Sequence, residues 1–232
     1  LQGRKAVAQA APWASHLIVS ARGGDGGLSL VVLPVDAPGV RSRAYPTRDG
    51  GRAADIDFDD VRVSTDALLG AQGGALVQIE QALDEATLAV CAESIGVMRR
   101  LMRDTLDYVR QRKQFGVPIS SFQVLQHRLA DMHMALEQAE ALTLSVGEAL
   151  ATQASAQARA RAVSSAKVAV AKACRAVGQG AVQLHGGMGM TEELAVGHYV
   201  RRATLIESQF GSASWHLRRV AGITASSATE RS

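Results

Sequence analysis

From Gly73 to Gln114 the chain carries one uninterrupted helical period, and that run decides most of what it can fold into. Leu76, Ile79, Leu83, Ala86, Val90, Val97 and Leu101 share one stripe. Neither Pro nor a tight Gly cluster interrupts it before Gln114-Phe115-Gly116-Val117-Pro118, so the spacing predicts one long helix. A second helix is predicted from Ser120 or Ser121 to about residue 150, where Phe122, Leu125, Leu129, Met132, Leu136 and Ala139 alternate steps of three and four. A third, from about 157 to 184, is rich in Ala, Lys and Arg. It keeps Val163, Val170, Cys174, Val177 and Ala181 at helical spacing and ends in Gly186-Gly187-Met188-Gly189. Two shorter helices follow, one opening at Thr191 with Glu192 and Glu193 in its first turn and one after Gly211. Long helices joined by short loops become antiparallel neighbours, which gives an up-and-down four-helix bundle.

The first 70 residues have a different period. His16-Leu17-Ile18-Val19-Ser20, Leu28 to Leu33 and Asp55-Ile56-Asp57-Phe58 are short β-type runs, with Val61 and Val63 following. Gly23-Gly24-Asp25-Gly26-Gly27 and Asp49-Gly50-Gly51 read as hairpin or loop spacers. The expected fold class is therefore α+β, a partial antiparallel β domain followed by the helical bundle. The expected domains are residues 1–70, residues 71–224 and a frayed tail at 225–232. A β unit of this size with so few large apolar side chains makes a poor independent domain, so further strands or a partner are expected to complete it. The chain opens on Leu rather than Met and enters strand-like sequence at once, which points to an N-terminal part outside it.

Composition narrows the function classes. With 47% hydrophobic residues and 20% charged ones the chain is ordinary globular protein, which excludes intrinsic disorder. Twenty-five Lys and Arg against 22 Asp and Glu leave a charge of only +3 with no basic run, so nucleic acid is not an expected partner. Cys91 and Cys174 lie in helical contexts with neither CxxC nor Cys/His spacing, so no disulfide framework or metal site is indicated and a reducing cytoplasm fits. No run of about eighteen apolar residues marks a membrane span.

Two segments carry chemistry. Arg112-Lys113-Gln114-Phe115-Gly116-Val117-Pro118-Ile119, with Phe122-Gln123 beyond it, puts a guanidinium at a helix end, an aromatic on a tight turn and an amide on the next first turn. That combination suits a phosphate-bearing aromatic cofactor. It is equally read as capping, with Arg112 complementing the helix dipole, Phe115 as a staple and Ser120 with Gln123 as a capping box. Gln183-Leu184-His185-Gly186-Gly187-Met188-Gly189 is neither a dinucleotide fingerprint nor a Walker loop. Its glycines either cap a helix or admit a ligand close to the backbone. His185 alone reads as a packed or solvated side chain.

Taken in order, Phe58-x-x-Val61-x-Val63, a long helix, Arg-Lys-Gln-Phe-Gly, Phe-Gln, Leu129-Ala130-Asp131-Met132 and Gln-x-x-Gly-Gly-x-Gly resemble the acyl-CoA dehydrogenase family across nearly the whole chain. Leu1-Gln2-Gly3-Arg4-Lys5 is similar to the family's middle-domain segment, which implies that the family's N-terminal helical domain is absent here. The resemblance implies FAD as cofactor, an acyl-CoA thioester as substrate and an electron-transfer flavoprotein as acceptor. In the family a carboxylate removes the α proton while the β hydrogen leaves as hydride.

The position where most of the family has that Glu falls on Phe210, and the position used by a minority falls on Ala86, with Thr87 where Arg is frequent. A phenyl ring and a methyl group accept no proton. Glu207 and Glu85 are the acids nearest to these positions, and Glu207 is the weak candidate for a displaced base. Arg112, Phe115, Gln123, Gln183, Gly186 and Gly187 match the segments through which the family reaches the adenine and pyrophosphate end of FAD, bound mainly to a neighbouring subunit. Val7-Ala8-Gln9 stand where the family has a Trp-x-Thr flavin contact. The implied partner is a second acyl-CoA dehydrogenase-like subunit, as in heteromeric bacterial enzymes of steroid side chains. A homotetramer with a displaced base and a non-catalytic CoA-thioester-binding or scaffold subunit are the alternatives.

Overall fold

The computed structural model describes residues 1–24, 26–151 and 155–229. They divide into two units, Leu1–Ala82 and Leu83–Ser232, so the division falls inside the first long helix.

In the first unit, β1 (Gly3–Gln9), β5 (Arg52–Phe58) and β4 (Val40–Pro46) form an antiparallel sheet with β5 in the middle. β2 (His16–Arg22) and β3 (Leu28–Pro34) form a separate hairpin in unbroken register from His16–Pro34 to Arg22–Leu28. Its turn is closed by the Gly23 N–H on the Gly27 carbonyl, and Asp25 lies outside the described residues. Period-2 alternation puts Leu17, Val19, Val31 and Leu33 inward, where they meet Ala54, Ile56, Phe58 and Val61. Sequence reading missed β4 and, although the opening residues read as strand-like, gave β1 no bounds. Their side chains are mostly exposed, Arg4, Lys5, Arg41 and Arg43 among them, so the ladder to β5 rather than an apolar face makes them strands.

The second unit is helical. Helix α1 (Leu76–Gln111) starts in the first unit; α2 (Gln123–Ala151) and α3 (Ala156–His185) match the expected spans closely. Arg99 on α1 pairs with Glu140 on α2, and Asp84 on α1 with Arg159 on α3, so α1, α2 and α3 run up, down and up. Met98, Leu101 and Val109 of α1, Met132 and Leu136 of α2 and Val177 and Ala181 of α3 form the main core. Each large side chain there contributes about 1.5–3 kcal/mol of burial. The α1 stripe expected from the sequence is only partly inward, because Leu76 and Leu83 are exposed while Asp84 and Thr87 are buried.

Two helices complete the unit, α4 (Ala195–Ser208) and α5 (Ala213–Thr229). Helix α4 opens four residues later than Thr191 would set it. A 3-10 turn over Gly186–Met190 takes the chain first, and the Thr191 hydroxyl donates back to the Met188 carbonyl. Glu192 is thereby left outside the helix and pairs with Arg201. The tail expected at 225–232 continues helix α5 to Thr229, and 230–232 lie outside the described residues. Among the described residues no helix is long and apolar enough to cross a membrane.

Candidate functional site

At the end of α1 the Arg112 N–H still donates to the Tyr108 carbonyl, after which the chain folds into a minimal hairpin of β6 (Lys113–Gln114) and β7 (Val117–Pro118). Its two central residues, Phe115 at φ 54° and Gly116 at φ 83°, both take the left-handed backbone that a two-residue type I′ turn requires. Glycine does so freely, whereas a side chain costs roughly 1–2 kcal/mol there. Burial does not repay that cost, since Phe115 is 92% exposed, with its ring edge-on to Phe122 at 6.2 Å between centroids. A strained aromatic held out to solvent is the arrangement expected of a ligand contact.

Arg112 is exposed, and no described residue accepts a hydrogen bond from its guanidinium. Gln123, the first residue of α2, is exposed as well. The capping box does not form: α2 begins at Gln123, and Gln126, not Gln123, donates its amide to the Ser120 carbonyl.

The glycine-rich segment lies at the same end of the bundle. His185 closes α3 with its ring stacked on Tyr108, 4.3 Å between centroids, and the Tyr108 hydroxyl donates to the His185 carbonyl. His185 is buried, and its Nδ1–H donates to the Ala181 carbonyl, so it is a packing residue. Gln183, Gly186 and Gly187 are exposed around it, and the space beside both glycines is open. An exposed guanidinium, two amides, a projecting ring and a glycine turn suit an anionic ligand with a planar ring system.

The turn between α4 and α5 is built around Phe210 at φ 56° and Gly211 at φ 110°. Phe210 is 38% exposed, and its carbonyl accepts from His216 Nε2 at 3.1 Å. A carbonyl only accepts, so Nε2 carries the proton and Nδ1 accepts from the Ser164 hydroxyl at 3.0 Å. Arg219 reaches Ser164 at 3.4 Å and Asp84 Oδ1 at 2.5 Å, and Arg159 holds Asp84 Oδ2 at 3.2 Å. Burial pushes the His216 pKa down to about 4, helped by Lys167 and Arg219 and opposed by the Phe210 carbonyl and Asp84. Lys167, fully buried, donates to the Ile206 carbonyl near the end of α4.

No carboxylate occupies either expected base position. Phe210 holds one, and half-buried Ala86 the other, with the Thr87 hydroxyl donating to the Leu83 carbonyl. Glu207 pairs with Arg175 across the α3–α4 groove, and Glu85 is exposed on α1. Sequence reading missed Asp84, Lys167 and His216. Asp84 and Lys167 carry a signal, a charge set beside the apolar stripe of a long helix, which marks a buried, partnered group. Cys91 and Cys174 are buried free thiols raised by burial to about 12 and about 11, so neither offers a thiolate.

In the first unit, Val7 stands at φ 55° where β1 shifts register between Lys5 and Ala8. Its N–H donates to Asp55, which also accepts from Tyr45 at 2.9 Å, Arg4 at 2.6 Å and Arg43 at 3.2 Å. The Val7 N–H, then Tyr45 and Arg4, hold the Asp55 carboxyl well below the usual range. The Val7-Ala8-Gln9 segment is therefore a braced bulge with an apolar, half-exposed side chain at its head.

The sequence and the fold both have counterparts among known proteins. The probable acyl-CoA dehydrogenase YngJ of Bacillus subtilis is 32% identical over 215 residues, 89% of this chain and 56% of its own length. The crystal structure of the ChsE4-ChsE5 complex from Mycobacterium tuberculosis superposes with a TM-score of 0.86 at 26% identity, over 97% of this chain and 59% of that one. A structure of the Tcur3481-Tcur3483 steroid ACAD G363A variant superposes with a TM-score of 0.86 at 28% identity, over 98% and 60%. The chain spans about half the length of the curated relatives it matches. Residues 72–223 match the family acyl-CoA dehydrogenase, C-terminal domain, and the chain belongs to the acyl-CoA dehydrogenases.

Proposed function

We propose that this chain is a subunit of an FAD-dependent acyl-CoA dehydrogenase that works without a base of its own beside a second family subunit that supplies one. The observation that carries the reading is the turn at Phe210, which is fully built and braced yet presents a phenyl ring where proton abstraction needs a carboxylate. Arg112, Phe115, Gln123, Gln183, Gly186 and Gly187 would hold the adenine and pyrophosphate end of FAD, and bound FAD supplies the hydride acceptor. The assembly would oxidise an acyl-CoA thioester to the α,β-enoyl-CoA and pass electrons to an electron-transfer flavoprotein in the cytoplasm. The likeness to a two-component complex and to a steroid ACAD supports a heteromeric enzyme and a bulky acyl chain.

Pairing of Glu207 with Arg175 weighs against a self-sufficient homotetramer. Purification of the full natural chain with and without a second acyl-CoA dehydrogenase-like chain tests the proposal. The expected result is a yellow, active complex and a lone chain that reduces no dye with any acyl-CoA, even with added FAD. Turnover by the pure chain, abolished by Glu207→Gln, would overturn it in favour of the homotetramer. A chain that never retains FAD with any partner would overturn it in favour of a non-catalytic scaffold.

A further inference from the structure

The φ-positive turn at position 210 needs something to hold it, because neither a phenyl side chain nor the end of α4 favours that backbone. Its anchor comes from elsewhere in the bundle. His216 lies directly against the turn, close enough that a Cβ on Gly211 would stand 3.0 Å from Nε2 and 2.9 Å from Trp215. Only glycine fits beside it. Behind His216 the contacts run inward without a break, to Ser164 of α3, Arg219 of α5 and Asp84 of α1. Ser164, His216 and Asp84 are each no more than 1% exposed, so this chain of bonds is fixed by packing on three helices.

We propose that His216 is a positioning residue: its Nε2–H bond to the Phe210 carbonyl, braced by Ser164, Arg219 and Asp84, sets the direction in which the side chain at position 210 leaves the backbone. The proposal deepens the reading of position 210 as the base position and rests on it only for its functional meaning. The clamp grips the main chain, so it acts alike on any side chain placed there, and Phe210 is a replaced side chain on a retained platform.

The test is made on the full natural chain. In wild type, nitrogen NMR shifts should place the His216 proton on Nε2, and the Gly211 amide, bonded to the Ser208 carbonyl at 3.3 Å, should exchange slowly. His216→Ala should speed Gly211 exchange about tenfold, the worth of one hydrogen bond, while amides in the α1–α3 core stay unchanged. His216→Gln, whose amide can donate and accept in the same places, should restore slow exchange. Should the alanine variant not fold, Ser164→Ala removes one bracing oxygen and should speed the same amide about twofold or more. A proton on Nδ1, unchanged Gly211 exchange, or faster exchange spread evenly over the bundle would overturn the proposal. Activity is read separately, by adding Phe210→Glu and assaying butyryl-CoA and octanoyl-CoA oxidation. Local exchange effects with no gained turnover would support the clamp and overturn the base-position reading.

Discussion

The ring of His185 lies flat on the ring of Tyr108, with 4.3 Å between centroids and 26° between planes. This contact joins the last turns of two helices whose sequences lie 77 residues apart. It places the Arg112–Phe115 hairpin and the Gly186–Gly187 turn at one end of the bundle.

Replacing Tyr108 tests that linkage. Tyr108→Ala removes a stacked ring and should cost about 0.5–1.5 kcal/mol for the aromatic pair beyond its buried area. It should also weaken FAD retention by the assembled complex, because both halves of the surface lean on the stack. Tyr108→Phe loses only the long hydroxyl bond and should leave FAD retention unchanged. Melting curves and FAD titrations on both variants separate the two effects.

Arg112→Ala distinguishes cofactor binding from helix capping. Loss of a charge-assisted contact to pyrophosphate costs about 1.5–3 kcal/mol. FAD retention by the complex should therefore fall roughly ten- to a hundredfold. A capping role would instead lower stability by about 0.3–1 kcal/mol and leave FAD affinity untouched. FAD titration with parallel melting curves decides between them.

The buried imidazole gives stability a defined pH dependence. His216 titrates near pH 4 when folded against about 6.5 when unfolded, so as pH falls the unfolded chain takes the proton first. The neutral ring's contribution is complete above about pH 6.5, drains away between 6.5 and 4, and changes little below. Over that window the wild type should lose about 3 kcal/mol more than His216→Gln. Urea unfolding of both proteins at pH 7, 5.5 and 4 measures the difference; parallel curves would mean that the imidazole is not buried neutral.

Asp84→Ala should be among the most damaging single changes in the bundle. It strands Arg159 and Arg219, whose only charge partner among the described residues is this carboxylate buried to 1% exposure. Removing one member of a buried ion cluster typically costs about 3–5 kcal/mol. Both guanidinium groups retain some contact with water, so about 3 kcal/mol and a melting temperature lower by roughly 6–12 °C are expected.

Much of the architecture was legible because helical periodicity is a local property repeated many times. The third helix reads as 157 to 184 and runs over Ala156–His185, and alternation in β2 and β3 is equally plain. The motifs that reveal the family, and the presence of Phe210 and Ala86 at the positions where a base was expected, are residue identities and need no coordinates. Strand β4 was hidden and the bounds of β1 were not legible because pairing to β5, not an apolar face, creates them.

The rest depended on tertiary structure for a different reason. Gly116 and Gly211 mark turns, but the residue types Phe115 and Phe210 do not announce a left-handed backbone, since both are bulky residues that ordinarily avoid it. That Asp84 meets Arg219 across 135 residues, and Ser164 meets His216 across 52, follows from how the helices pack. Sequence pattern determines which faces of the helices are buried and which chemical groups exist. Only packing, which forces a buried donor to find a particular acceptor, decided that the Phe210 carbonyl at this turn meets the His216 ring.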